Sequence, residues 1–162
     1  MRDLCTLRAL TVMAVVAAAS AVDARGTAAQ EPTGTRHIRS AATAARGLPF
    51  SDAVQVGDVL YLSGMIGVRP DTLAVVAGGI EPETRRILDD MRAFLEEQGS
   101  SLDRVFKCTV MLADMAEWPR FNAIYAEYFT ENLPARSAFG TSGLALGARV
   151  ELECWALAGR GS

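Results

Sequence analysis

The sequence predicts an α+β domain built on one small sheet with helices on a single face. Three observations carry this expectation. Short segments alternate apolar and polar residues; two longer segments repeat their apolar residues at spacings of three and four; and the patterns follow one another as ββ-α-β-α-β. Half of the 162 residues are apolar and 22% are charged, ordinary globular composition for one domain.

Each element has its own signal. Ala53–Val56 and Val59–Ser63 alternate around Gly57-Asp58 and read as a hairpin. A loop with Gly64, Gly67, Gly78 and Gly79 follows, with a short strand expected around Ala74–Val76. Pro82 near the start and Gly99 past the end bracket a helix whose apolar stripe is Ile80, Thr84, Ile87, Leu88, Met91, Phe94 and Leu95. Val105–Leu112 is a strand predicted to put Phe106, Cys108, Val110 and Leu112 on one face. Pro119 opens a second helix, with Phe121, Ile124, Tyr125 and Tyr128 in its stripe, predicted to end near Glu131-Asn132. A short strand is expected at Ser137–Phe139. Arg149–Leu157 is the clearest strand: Val150, Leu152, Cys154 and Ala156 face a core, and Glu151 and Glu153 lie with Trp155 on the other face. That mixed face, shared by Lys107, Thr109 and Met111, suits either solvent or a second subunit.

The front of the chain reads differently. Arg2 and Arg8 precede eleven uncharged residues, Ala9–Ala19, too few for a membrane span, and Ala19-Ser20-Ala21 is a small-x-small cleavage pattern. Residues 1–21 are therefore predicted to be an export signal, with Ala24 and Ala29 as alternative cleavage points and an uncleaved interfacial helix as the competing reading. Removal of 21 residues leaves 141 of 162, exported to a periplasmic or secreted location and not membrane-bound. Residues 22–46, which hold the single histidine, His37, are predicted to be a flexible leader, and 47–159 the folded domain. Cys5 leaves with the signal. Cys108 and Cys154 sit at apolar strand positions, where buried free thiols are the preferred reading and an exported location permits a disulfide.

Composition narrows the chemistry. A net charge of -3, which becomes -4 when Arg2, Arg8 and Asp3 depart, and a pI near 5.2 argue against a nucleic-acid partner. One histidine and two apolar-register cysteines support neither a metal site nor a histidine-dependent triad, and no phosphate-binding glycine motif is present. Arginine, carboxylates, hydroxyls and backbone N–H groups remain, a set suited to holding a small anion and placing water. Pro134-Ala135-Arg136-Ser137 is the most informative stretch, because an extended backbone there presents a guanidinium fork that matches a carboxylate.

Six motifs in order add a context. Leu48-Pro-Phe-Ser-Asp-Ala-Val54, Gly57-Asp-Val-Leu-Tyr-Leu-Ser-Gly64, Val105-Phe-Lys-Cys-Thr-Val110, Phe121-Asn-Ala-Ile-Tyr-Ala-Glu-Tyr-Phe129, Pro134-Ala-Arg-Ser137 and Val150-Glu-Leu-Glu153 together resemble the Rid family of reactive intermediate deaminases, also called YjgF-type proteins. The resemblance spans about Leu48 to Leu157. It implies a chorismate-mutase-like fold forming a homotrimer, with sites in the clefts between subunits that hydrolyse 2-imino acids or their enamine tautomers to 2-keto acids and ammonia without a cofactor. By the same resemblance Arg136 binds the substrate carboxylate, Glu151 orients or polarises water, and Ser63, Gly64 and Asn122 lie at or near the site. Three departures, Phe50 for a frequent tyrosine, Met65 for a frequent glutamine and Ala138 for a frequent cysteine, each remove polarity and point to a more apolar pocket and a substrate larger than a short imino acid. The competing functional reading is a trimer that binds small carboxylate metabolites without turnover. A ribonuclease role sits poorly with the acidic charge and the lack of a histidine base.

Overall fold

A computed structural model of the chain describes residues 34–159. The expected export signal and residues 22–33 of the expected leader lie outside the described residues.

The described chain forms β1 (Thr35–Ile38), α1 (Ala41–Ala45), β2 (Ala53–Val56), β3 (Val59–Leu62), β4 (Met65–Ile66), α2 (Ile80–Glu97), β5 (Val105–Leu112), α3 (Trp118–Tyr128), β6 (Ala135–Gly140) and β7 (Val150–Leu157). One seven-stranded sheet runs β1-β2-β3-β7-β5-β6, with β4 adding to β7 beyond the end of β3. All pairings are antiparallel except β5–β6, whose parallel arrangement follows from the crossover through α3. The α+β expectation therefore holds, and the sheet is larger than ββ-α-β-α-β anticipated.

Helix α2 forms where the sequence placed it. Ile80, Thr84, Ile87, Leu88, Met91 and Leu95 are buried at helical spacing, Glu81 and Glu83 occupy the first turn, and Gly99 beyond the C-terminus has the left-handed φ of 69° that favours glycine. The helix stripe packs on Leu60, Leu62, Val110, Leu112, Val150, Leu152 and Ala156 from the sheet, and Phe121 and Tyr125 of α3 join the same core. Helix α3 stops at Tyr128, three residues before the expected end, because Phe129 is extended (φ -113°, ψ 91°) and leads the chain toward β6.

Three expectations are corrected. First, the leader does not extend to residue 46: β1 pairs with β2 at the sheet edge, His37 opposite Val54, and Ser40 caps α1. Asp52 anchors this segment by accepting from the Ser40 N–H and from the Thr43 hydroxyl, each at 2.6 Å. Only Ile38 of β1 is buried, so the strand has no apolar alternation to announce it. Second, Phe106 does not share a face with Cys108. The register shifts between Val105 and Lys107, which turns Val105 into the core and Phe106 out beside Trp155, with ring centroids 6.4 Å apart. Third, Cys108 and Cys154 are disulfide-bonded. They stand directly opposite each other on β5 and β7, with Cα atoms 4.1 Å apart and both residues fully buried. Alternation assigns each cysteine to a face; only the register shows that they meet. The expected strand at Ala74–Val76 reduces to a single bridge, Val75 with Val68.

A bond closing 46 residues of sequence stabilises a domain by roughly 2–4 kcal/mol. Thiol titration of unfolded protein should find two more reactive thiols after reduction than before, and Cys108→Ala/Cys154→Ala should lower the unfolding free energy by about that amount in a urea melt.

Candidate functional site

The candidate residues fall into two clusters, one on each face of the sheet. The first surrounds Glu151. As an odd residue of β7 it projects to the face opposite the helices, into a cavity of about 330 Å³ lined by Phe50, Ser63, Gly64, Ile66, Ala145 and Glu151. Gly64 lies against the carboxylate: a Cβ at this position would collide with Glu151 Oε1, so a larger residue would displace the Glu151 side chain from its present position. Ser63 is tied to the loop below, its hydroxyl donating to the Ser51 carbonyl at 2.7 Å and its N–H to the Asp52 carbonyl at 3.0 Å. The start of β7 is pinned as well. Buried Glu83 accepts from the Arg149 N–H at 2.8 Å, and Glu117 pairs with the Arg149 guanidinium.

Burial raises the Glu151 carboxyl above its ordinary value, and the negative charge of Glu153 on the same strand face adds to the rise. Glu153 itself accepts a 3.0 Å bond from the Trp155 indole N–H. A carboxylate of raised basicity in a half-closed, largely apolar cavity is suited to hold water and take its proton.

The second cluster surrounds Arg136. Strand β6 places it opposite Cys108, on the helix side of the sheet, where its guanidinium lies over rings of α3: 4.6 Å from the centroid of Trp118, 4.5 Å from Tyr125 and 5.8 Å from Phe121. Among the described residues it makes no side-chain hydrogen bond or ion pair, so its N–H groups remain available. Asn122, Tyr125, Ala126, Phe129, Leu133, Pro134 and Arg136 line a cavity of about 370 Å³. Burial pushes the Tyr125 phenol up to about 12 against the pull of the nearby Arg136 charge, so at neutral pH it is a hydroxyl donor.

The described chain thus does not bring Arg136 and Glu151 together. Along β5, Arg136 stands opposite Cys108 and Glu151 opposite Met111, and β5 lies between them. Three residues of rise and two strand spacings put their backbones about 14 Å apart, and their side chains leave opposite faces. Of the remaining predicted positions, Phe50, Ser63 and Gly64 join Glu151, and Asn122 joins Arg136. Met65 and Ala138 do not line either cavity. Both pack against the core, Met65 paired with Leu152 and Ala138 with Val110. Ile66, one residue after Met65, takes the place on the Glu151 face. Trp118 was not anticipated, and Tyr125 was expected only as core, because aromatic residues at helical spacing look the same whether they seal an interior or carry a cation.

A family model described as Endoribonuclease L-PSP matches residues 26–158. The mouse protein 2-iminobutanoate/2-iminopropanoate deaminase is 41% identical over 111 residues, covering 68% of this chain and 82% of that protein. A RutC family protein of Pyrococcus horikoshii is 41% identical over 105 residues, covering 65% and 83%. Among solved structures, YyfA of Yersinia pestis, described as a protein of unknown function of the conserved Rid family, superposes with a TM-score of 0.70 at 34% identity, covering 76% of this chain and 99% of that one.

The environment of Glu151 predicts its titration. In a carbon-13 NMR experiment its carboxyl should titrate above 4.5, and Glu153→Gln should bring the midpoint down while burial keeps it above that value.

Proposed function

This chain belongs to the Rid family, and from that membership and the two clusters we propose that it hydrolyses 2-imino acids to 2-keto acids in clefts between the subunits of a homotrimer. The observation that carries the reading is the placement of Arg136. Its guanidinium is held over aromatic rings with its donors unused among the described residues, on the edge strand β6, while Glu151 waits in a separate cavity on the opposite face. A substrate of a few atoms cannot touch both groups in one chain, since reacting groups must approach to about 3–3.5 Å. An edge strand carries its residues to a neighbour readily. In a cyclic assembly, Arg136 of each copy meets Glu151 of the next.

The chemistry follows from these groups. Arg136 holds the substrate carboxylate in a two-point grip. Water, guided by Glu151, adds to the adjacent imine carbon while Glu151 takes the water proton and passes it to nitrogen, giving a carbinolamine; Glu151 then takes the hydroxyl proton and passes it to the amine as the C–O double bond forms and the C–N bond breaks, and a 2-keto acid and ammonia leave. An enamine enters the same path after protonation at carbon. An imine is already electrophilic, so fixing the carboxylate and presenting water supplies most of what the reaction needs. No added cofactor enters these steps. Phe50, Ile66 and Ala145 around Glu151 and Phe129 and Leu133 beside Arg136 make the walls apolar, which favours an apolar substrate side chain.

With imino acid generated in situ by an amino-acid oxidase, wild-type protein should accelerate keto-acid release, and Arg136→Ala should lower kcat/KM by about 100-fold, the loss of a charge-assisted pair. Equal rates with and without protein would favour a binder without turnover. Subunit mixing tests the cleft: Arg136→Ala and Glu151→Gln chains, each inactive alone, should regain about one quarter of the wild-type rate when refolded together at equal ratio, since one site in four then has both groups. No recovery, or a monomer by light scattering, would overturn the intersubunit site.

A further inference from the structure

Two polar atoms in the Arg136 cavity lack a use in the fold. Among the described residues, Tyr125 Oη and Asn122 Oδ1 are buried without a hydrogen-bond partner. They lie one helical turn apart on α3, and both residues line the same cavity of about 370 Å³ as Arg136. Tyr125 is 7% exposed. Buried hydroxyls are nearly always bonded, and leaving one unpaired costs roughly 1–3 kcal/mol. A side chain with no hydroxyl would pack on Phe121 and Phe129 equally well: the Tyr125 ring lies 5.5 Å from the first and 4.5 Å from the second. Packing therefore accounts for the ring and leaves the oxygen unexplained.

We propose that Tyr125 is a substrate-binding residue, its ring supporting the Arg136 guanidinium while its hydroxyl donates to the same substrate carboxylate that Arg136 grips. This rests on the carboxylate-binding role proposed for Arg136. Geometry favours it: the guanidinium carbon lies 4.5 Å from the ring centroid, so an anion held by the arginine at the cavity wall lies beside the phenol. The hydroxyl is the only donor among the orphaned atoms; Asn122 Oδ1, an acceptor, suits a neighbouring N–H such as that of an imine. Trp118, on whose ring the guanidinium also lies, is a positioning residue.

Tyr125→Phe keeps the ring and removes the hydroxyl. Loss of a hydrogen bond to a charged group predicts a rise in the Kd for 2-oxobutanoate of about tenfold or more in isothermal titration, with the melting temperature unchanged or raised. In the imine assay KM should rise by a similar factor with kcat within about twofold, the pattern of lost uniform binding. Tyr125→Leu, which removes ring and hydroxyl, should weaken 2-oxobutanoate further. A Tyr125→Phe Kd within twofold of wild type, or no binding of 2-oxobutanoate by wild type, would overturn the inference. The deaminase reading fails separately: binding of 2-oxobutanoate that weakens in Tyr125→Phe, without any acceleration of imine hydrolysis by wild type, would support this pocket and reject turnover.

Discussion

Seven register pairs join β5 to β7 in antiparallel contact, and the positions of most other parts follow from them. Alternation along both strands sends Cys108, Val110 and Leu112 with Val150, Leu152, Cys154 and Ala156 to the helix side, all fully buried. That surface is what α2 and α3 cover. The same alternation forces Glu151, Glu153 and Trp155, with Lys107, Thr109 and Met111, onto the open side. A shift of one residue would bury both carboxylates and expose the core set, so burial on one face fixes the register and the register fixes the site. The disulfide crosses within this contact, at the third of the seven pairs, and covalently locks the same alignment.

The open side is built around a close approach. Strands β3 and β4 both pair with β7, and the break between them at Ser63-Gly64 brings bare backbone against the Glu151 carboxylate. A side chain at position 64 would push the Glu151 carboxylate out of this place. The carboxylate sits in a half-enclosed space with a like charge two residues away, an arrangement that disfavours its ionised form and would be expected to disappear from a sheet serving only stability. Glu83 and Glu117, which hold Arg149 just before the strand begins, keep this position firm.

Arg136 solves the complementary problem. An arginine at a sheet edge in an acidic protein could be neutralised by any of its carboxylates, yet its surroundings are aromatic. Ring faces attract the cation without consuming its N–H groups, and an attraction worth about 0.5–2 kcal/mol orders the side chain while leaving its bonding capacity for an anion. The net charge of -3 and the local positive site are thus compatible, because the field of the whole molecule and the contacts of one pocket act over different distances.

Motifs that resemble the Rid family singled out Arg136 and Glu151 as the groups of interest, and the sequence by itself determined what is periodic or local: the α+β class, the limits of α2 within a few residues, and the core face of β7. These depend on spacing, and spacing is written in the chain. It missed β1 because a four-residue edge strand with one buried residue has no pattern, misplaced Phe106 because a bulge resets the alternation, and placed Met65 at the site by resemblance, whereas in the structure Met65 packs on the core and its neighbour Ile66 lies beside Glu151. Pairings of distant residues were decided by the tertiary structure alone. Cys108 with Cys154, Gly64 with Glu151, and Arg136 with Trp118 and Tyr125 are contacts between segments far apart or on different elements, and the register and crossover that create them result from burying all the apolar faces at once. For the same reason only the folded chain shows that Arg136 and Glu151 stand on opposite faces of one sheet.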